Sequence, residues 1–221
     1  MAGAATAAAG RTALVAGASG LVGREILQGL LADDSVLAVH ALARRPLGVQ
    51  HPKLTTQVVD FAALPALPPI DDVYLALGTT IKVAGSQSAF RAVDHDANLA
   101  VAVAAQKAGA KRLGVVSAMG ADSQSAIFYN RVKGELEEAL DRLRYETLVV
   151  ARPSFLAGDR ASLGQPVRGG ETLALKVSQW LRPVIPDNYR SVQAADVARA
   201  LLRTVPVARG QQVLLSGMMQ S

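Results

Sequence analysis

The stretch Leu14-Val15-Ala16-Gly17-Ala18-Ser19-Gly20-Leu21-Val22-Gly23 constrains this chain more than any other. An apolar strand runs into three glycines spaced three apart, and then into a helix. Gly17 permits a tight turn out of the strand, and Gly20 puts no side chain in the way of an approaching phosphate. Gly23 lets the helix pack closely on the sheet, and the helix N-terminus offers free N–H groups and the positive end of its dipole. This layout suits a dinucleotide pyrophosphate. A three-glycine loop alone is a weak signal; its strand–turn–helix context and its place at the start of the chain strengthen it.

Short β-rich runs recur along the chain, most of them followed by a helical stretch. Strands are expected over residues 12–16, 36–43, 55–59, 72–77, 112–117 and 147–151, with a last one over 212–215. Helices are expected over 21–31, 86–108, 127–143, 173–180 and 194–205. The Ala/Val-rich helix over 86–108 would bury one face. The helix over 127–143 would turn Glu135, Glu137, Glu138, Asp141 and Arg142 to solvent. Apolar runs without alternation suit strands covered on both faces, and their alternation with helices argues for an α/β fold, a doubly wound parallel sheet. The length suits one domain, 1–221, with 1–10 a frayed N-terminus. Residues 154–210 would supply a small C-terminal, substrate-covering segment, in which the breaker-rich loop 158–170 lies over a site.

Composition removes several classes of chemistry. With no cysteine, disulfides, cysteine-ligated zinc and thiol catalysis are excluded. His40, His51 and His95 share no metal-ligand spacing and read as surface or turn residues, so no metal site is expected. No run approaches the ~20 apolar residues of a membrane span. The opening residues lack a basic n-region and a long apolar h-region, and a cytoplasmic protein is the expectation. The net charge of +5 falls wholly on residues 111–221, with fifteen Lys/Arg against ten Asp/Glu, because residues 1–110 hold eight of each. A solvated, Arg-rich surface explains it more simply than an anionic partner. No basic cluster with interleaved aromatics supports nucleic-acid binding.

The end of the second strand bears on the cofactor. An acid there would accept from the adenosine 2′-hydroxyl, whereas an arginine accommodates a 2′-phosphate. The window reads Leu42-Ala43-Arg44-Arg45-Pro46, without an acid. Two guanidiniums suit a dianionic phosphate, favouring NADP over NAD. Asp60, in Val59-Asp60-Phe61, would accept from the adenine amino group or simply form a turn. Leu77-Gly78-Thr79-Thr80 follows the fourth strand, where a glycine lets the backbone pass close to the cofactor.

The fifth strand ends at Ser117; Tyr129 follows twelve residues later and Lys133 four after that. Tyrosine and lysine at i and i+4 share a helix face. A nearby ammonium and the positive nicotinamide favour the phenolate, so Tyr129 can exchange a proton with a carbonyl or alcohol. Ser117 would hydrogen-bond the same oxygen as charge develops on it.

These residues resemble a short-chain dehydrogenase/reductase of the compact, atypical kind. The likeness is greatest to the branch that holds the human Tat-interacting oxidoreductase-like protein. It is carried by Gly17 to Gly23, Ala43-Arg44-Arg45, Leu77-Gly78-Thr79-Thr80, Val116-Ser117-Ala118-Met119-Gly120-Ala121-Asp122, Tyr129 to Glu135 and Arg152-Pro153-Ser154-Phe155-Leu156. The resemblance implies a Rossmann fold, Ser117, Tyr129 and Lys133 as catalytic residues, and a cofactor loop of Gly17, Ser19, Gly20, Leu21, Val22 and Gly23. Tyr129 and Lys133 also touch the cofactor, and Pro153 and Phe155 frame the nicotinamide side. Two positions depart from the pattern: Ala118 stands where many relatives have a second serine, and Asp94 where extended members have an asparagine. The first weakens substrate hydrogen bonding, and the second removes the amide of a proton relay.

The expected function is therefore an NADP-dependent oxidoreductase moving hydride between nicotinamide and a small carbonyl or alcohol. The alternatives are an NADP-binding regulatory or interaction module with little turnover, and a nucleotide-sugar epimerase or dehydratase-like enzyme. The residues after the sixth strand leave little room for a sugar-nucleotide lobe. The expected partner is a small-molecule substrate; the sequence leaves open whether copies of the chain associate.

Overall fold

The computed structural model describes residues 10–154, 156–157 and 191–220. Phe155, the loop over 158–170 and the helix over 173–180 fall outside them, as do most of the expected substrate-side segment and residues 1–9.

The chain opens with β1 (Arg11–Ala16), α1 (Leu21–Ala32), β2 (Val36–Ala43), β3 (Leu54–Val58) and β4 (Asp72–Leu75). Short helices α2 (Ile81–Ala84) and α3 (Gln87–Arg91) lead through a π-helical segment, Ala92–Ala97, into α4 (Asn98–Lys107). Then come β5 (Arg112–Val116), α5 (Phe128–Arg142), β6 (Thr147–Arg152) and β7 (Leu156–Ala157). After the undescribed stretch follow β8 (Val192–Gln193), α6 (Ala194–Thr204), β9 (Gly210–Leu215) and α7 (Ser216–Met219).

Seven strands form one sheet in the order β3-β2-β1-β4-β5-β6-β9, with every neighbouring pair parallel. β7 and β8 pair separately. The central strands are apolar on both faces because each face is covered. Ala13 and Val15 point into one layer with Ile26, Leu27 and Leu30 of α1 and Val197 and Leu201 of α6. Leu14 and Ala16 point into the other, with Val101 and Ala105 of α4 and Leu136 and Leu140 of α5. Each of these Val, Leu and Ile side chains removed from water stabilises the fold by about 1.5–3 kcal/mol. This is the doubly wound α/β arrangement that the strand pattern predicts.

Three local expectations need correction. The helix over 86–108 is not uniform, because the π-helical turn interrupts it. Glu137 does not face solvent: it is buried, held by partners on β5 and β6. His40 is not a turn residue: it lies half-buried inside β2, paired in register with Leu14 and Thr55. Burial there pushes its imidazole below the ordinary histidine value.

Candidate functional site

All seven strands of the main sheet run the same way, so their carboxyl ends share one edge. The order reverses around β1, which sits between β2 and β4. Crevices for ligands form at such a reversal, outside the strand ends. The turns after β1 and β4 flank it.

The turn after β1 needs its glycines. Gly17 has φ of +95°, and a Cβ there would stand 2.4 Å from the Ala76 carbonyl oxygen. A Cβ on Gly23 would stand 2.0 Å from the Gly17 carbonyl oxygen, so it is the turn itself that Gly23 clears. Gly20 begins α1 and caps it with no side chain, leaving the first-turn N–H groups free of a side-chain acceptor. A backbone cradle with unclaimed donors fits a pyrophosphate. Ser19 is exposed, Leu21 half-buried, and Val22 packs in the core. Arg24, next in the chain, has a buried Nε with no partner among the described residues.

Arg44 and Arg45 are exposed just past the end of β2, and neither forms an ion pair among the described residues. Asp60 accepts the Ala62 N–H at 2.9 Å, the short loop of an Asx turn, while Phe61 packs half-buried on the second core layer.

The turn after β4 is tied to the π-helical segment. The Leu77 carbonyl accepts from Asn98 Nδ2 at 3.1 Å, and the Thr79 N–H donates to Asp94 Oδ2 at 2.8 Å. Gly78 is exposed between them. A π-turn shifts backbone pairing by one residue. Asn98 Nδ2 also donates to the carbonyls of Val93 (3.3 Å) and Asp94 (3.2 Å).

Tyr129 and Lys133 lie on one face of α5, as their spacing predicts. The Tyr129 ring packs tilted against the fully buried Phe90, centroids 5.5 Å apart. Lys133 is buried, and its Nζ meets Asp94 Oδ1 at 2.7 Å. Burial alone would push this ammonium down. The charges of Asp94 and Tyr129, the Asp94 hydrogen bond and the Glu137 charge outweigh it and hold Lys133 above the ordinary lysine value.

Ser117, buried at the end of β5, donates its hydroxyl to Glu137 Oε1. Glu137 also receives Arg152 of β6, with Nη2 at 2.5 Å and Nε at 3.1 Å. The hydrogen bond to Glu137 is the main reason the Arg152 guanidinium lies above its ordinary value. Ala118 is buried beside Ser117, and Pro153 is buried with its carbonyl accepting the Met119 N–H at 2.9 Å.

The structure thus gathers Ser117, Lys133, Glu137 and Asp94 into one buried group, with Tyr129 at its edge. Asn98, Glu137, Arg152 and Phe90 were not singled out as site residues by sequence reasoning. One signal was available for Glu137: it follows Lys133 by four residues, as Lys133 follows Tyr129. Among the described residues no cluster of three or more His, Cys, Asp or Glu is placed to hold a metal ion.

A family model described as NAD(P)H-binding matches residues 17–180. FMP52 of Coccidioides immitis is 32% identical over 86% of this chain and 83% of its own. HTATIP2 of Rattus norvegicus is 34% identical over 93% of this chain and 86% of its own. Among solved structures, MoeE5 in complex with UDP-glucose and NAD aligns with TM-score 0.68 at 21% identity, over 92% of this chain and 75% of that one. The Bordetella bronchiseptica enzyme WbmH in complex with NAD+ aligns with TM-score 0.68 at 18% identity, over 94% and 76%. At such identities the likeness is one of fold. The cytoplasmic expectation is overturned by the FMP52 relatives, whose names carry the word mitochondrial. Among the described residues, no helix is long and apolar enough to cross a membrane.

Proposed function

The chain belongs to the NAD(P)H-binding family, among the atypical short-chain dehydrogenase/reductase-like proteins that include HTATIP2 and FMP52, and on that premise we propose that it is an NADP-dependent oxidoreductase acting on a small carbonyl or alcohol. The observation that carries this reading is the Tyr129–Lys133 pair on the inner face of α5, at the carboxyl edge of a parallel sheet whose first turn is a glycine cradle.

The cofactor, when bound, supplies the hydride chemistry. Gly17, Gly20 and Gly23 leave backbone room for the pyrophosphate, and the open N-terminus of α1 donates to it. Arg44 and Arg45 offer guanidiniums to the 2′-phosphate, and Asp60 and Phe61 border the adenine. Leu77, Gly78 and Thr79 would pass the ribose side, and Pro153 would frame the nicotinamide side. Tyr129 gives a proton to the substrate oxygen during reduction and takes it back during oxidation. Lys133 stabilises the phenolate this leaves and bonds the ribose hydroxyls.

A second reading, an NADP-binding module with little turnover, draws on Ser117. Its hydroxyl proton is already given to Glu137, so it has none for a substrate oxygen in this arrangement. The two readings separate on Tyr129→Phe. With NADPH and a panel of small aldehydes and ketones, the oxidoreductase reading expects measurable turnover, reduced by roughly 10²–10⁴-fold in the variant. NADPH affinity should remain. Equal, near-zero rates in both proteins with tight NADPH binding would favour the binding module, and turnover of UDP-sugars alone would favour an epimerase.

A further inference from the structure

We propose that Asp94 is a positioning residue: it holds Lys133 charged and aimed across the site, and it locks that lysine to the turn after β4. The inference rests on the reading of Lys133 as a cofactor-side residue and deepens it.

Each oxygen of Asp94 has a separate task. Oδ1 takes the Lys133 ammonium at 2.7 Å, and Oδ2 takes the Thr79 N–H at 2.8 Å. Both charged side chains are shut away from water, Lys133 at 5% and Asp94 at 1% exposure. A buried ammonium without a counter-charge loses its proton readily, so the lysine depends on its neighbours. These are Asp94 from the π-helical segment, and Tyr129 and Glu137 from its own helix. Glu137 is largely claimed by Arg152 from β6 and Ser117 from β5, and His95 on the π-helical segment is paired with Asp96. Asp94 is the carboxylate with an oxygen given to Lys133. The π-turn that carries Asp94 is itself held, because Asn98 Nδ2 bonds the Val93 and Asp94 carbonyls and the Leu77 carbonyl. The aspartate thus gives Lys133 a direct ion pair where an asparagine would offer an uncharged amide.

The test is Asp94→Asn, which keeps the shape and an acceptor for Thr79 while removing the charge. Carbon-13 labelling of lysine side chains reports the Lys133 titration by NMR without substrate or cofactor, its signal assigned by loss in Lys133→Met. In the native protein Lys133 should stay protonated past the ordinary lysine range. In Asp94→Asn it should titrate about 1–3 pH units lower. NADPH affinity should weaken as pH rises through that lowered value and recover below it. An unchanged Lys133 titration would overturn the proposal while leaving the oxidoreductase reading standing; absent turnover with a shifted titration would do the reverse. A second arm guards against a general loosening of the site. In a Lys133→Met background, Asp94→Asn should leave NADPH affinity within about twofold of Lys133→Met alone. An equal loss in both backgrounds would mean that Asp94 acts through the Thr79 turn, and the proposal would fall.

Discussion

Two aspartates are buried at opposite edges of the same sheet, and their surroundings differ. Asp72 opens β4 at the amino edge and is fully enclosed. One oxygen takes Arg11 Nη1 at 2.5 Å and the other takes Arg112 Nε, so the first residues of three neighbouring strands are tied together. Arg11 reaches on to Asp33 at the end of α1. Asp94, at the carboxyl edge, has one ammonium and one backbone N–H. Asp72 is saturated by two guanidiniums that are themselves partly wet, at 12% and 25% exposure. Asp94 faces a lysine with almost no water of its own, and that lysine has Tyr129 within electrostatic reach. The same pairing of carboxylate and cation is a clasp in one place and, on our reading, a setting for a proton-handling group in the other.

The largest effect should come from breaking the clasp. Removing one partner of a buried pair costs about 3–5 kcal/mol. Because Arg11 and Arg112 retain some water, Asp72→Ala should fall at the low end, about 3 kcal/mol, or roughly 6–12 °C in Tm for a domain of this size. NADPH affinity of the folded fraction should not change. A loss of affinity with unchanged melting would invert the comparison.

A smaller effect, with the opposite signature, is expected from Gly23→Ala. The added methyl meets the Gly17 carbonyl oxygen, which is backbone and cannot swing aside. Overpacking of this kind costs about 1–3 kcal/mol, and the shift falls on the turn we propose for the pyrophosphate. NADPH affinity should therefore drop more steeply than stability, as read by fluorescence titration beside thermal melts. Retention of native affinity would show that the turn tolerates the methyl and that the cradle is elsewhere.

The two edges also differ in how much of them could be read beforehand. The glycine turn and the Tyr129–Lys133 face are legible because each depends on local spacing: a turn needs its glycines within a few residues, and a helix face repeats at i+4; the end of β4 is less so, at Leu75 and not at residue 77. The two pairings that define the edges join residues far apart in the chain, Asp94 to Lys133 and Arg11 to Asp72. No periodicity announces them. The burial of Glu137 is hidden for the same reason. Beside Glu135 and Glu138 it reads as one more solvated acid, until β6 places Arg152 against it. The π-turn at 92–97 is hidden differently. Its extra residue leaves an alanine- and valine-rich pattern still looking helical, so only the backbone reveals it.

The smallest effect concerns Arg44, where neither edge's logic of burial applies. Its guanidinium is exposed, so screening by water and salt limits what it contributes. Arg44→Ala should leave stability within about 0.5 kcal/mol. NADPH binding should weaken about tenfold, or about 1.4 kcal/mol, since Arg45 stays in place and a charge-assisted bond to phosphate is lost. NADH binding should not move, because that cofactor carries no 2′-phosphate. The gap between the cofactors should narrow as salt rises, which a buried contact would resist. Equal affinities for NADPH and NADH, unchanged in the variant, would remove the case for NADP while leaving the glycine cradle and the Tyr129–Lys133 pair as they stand.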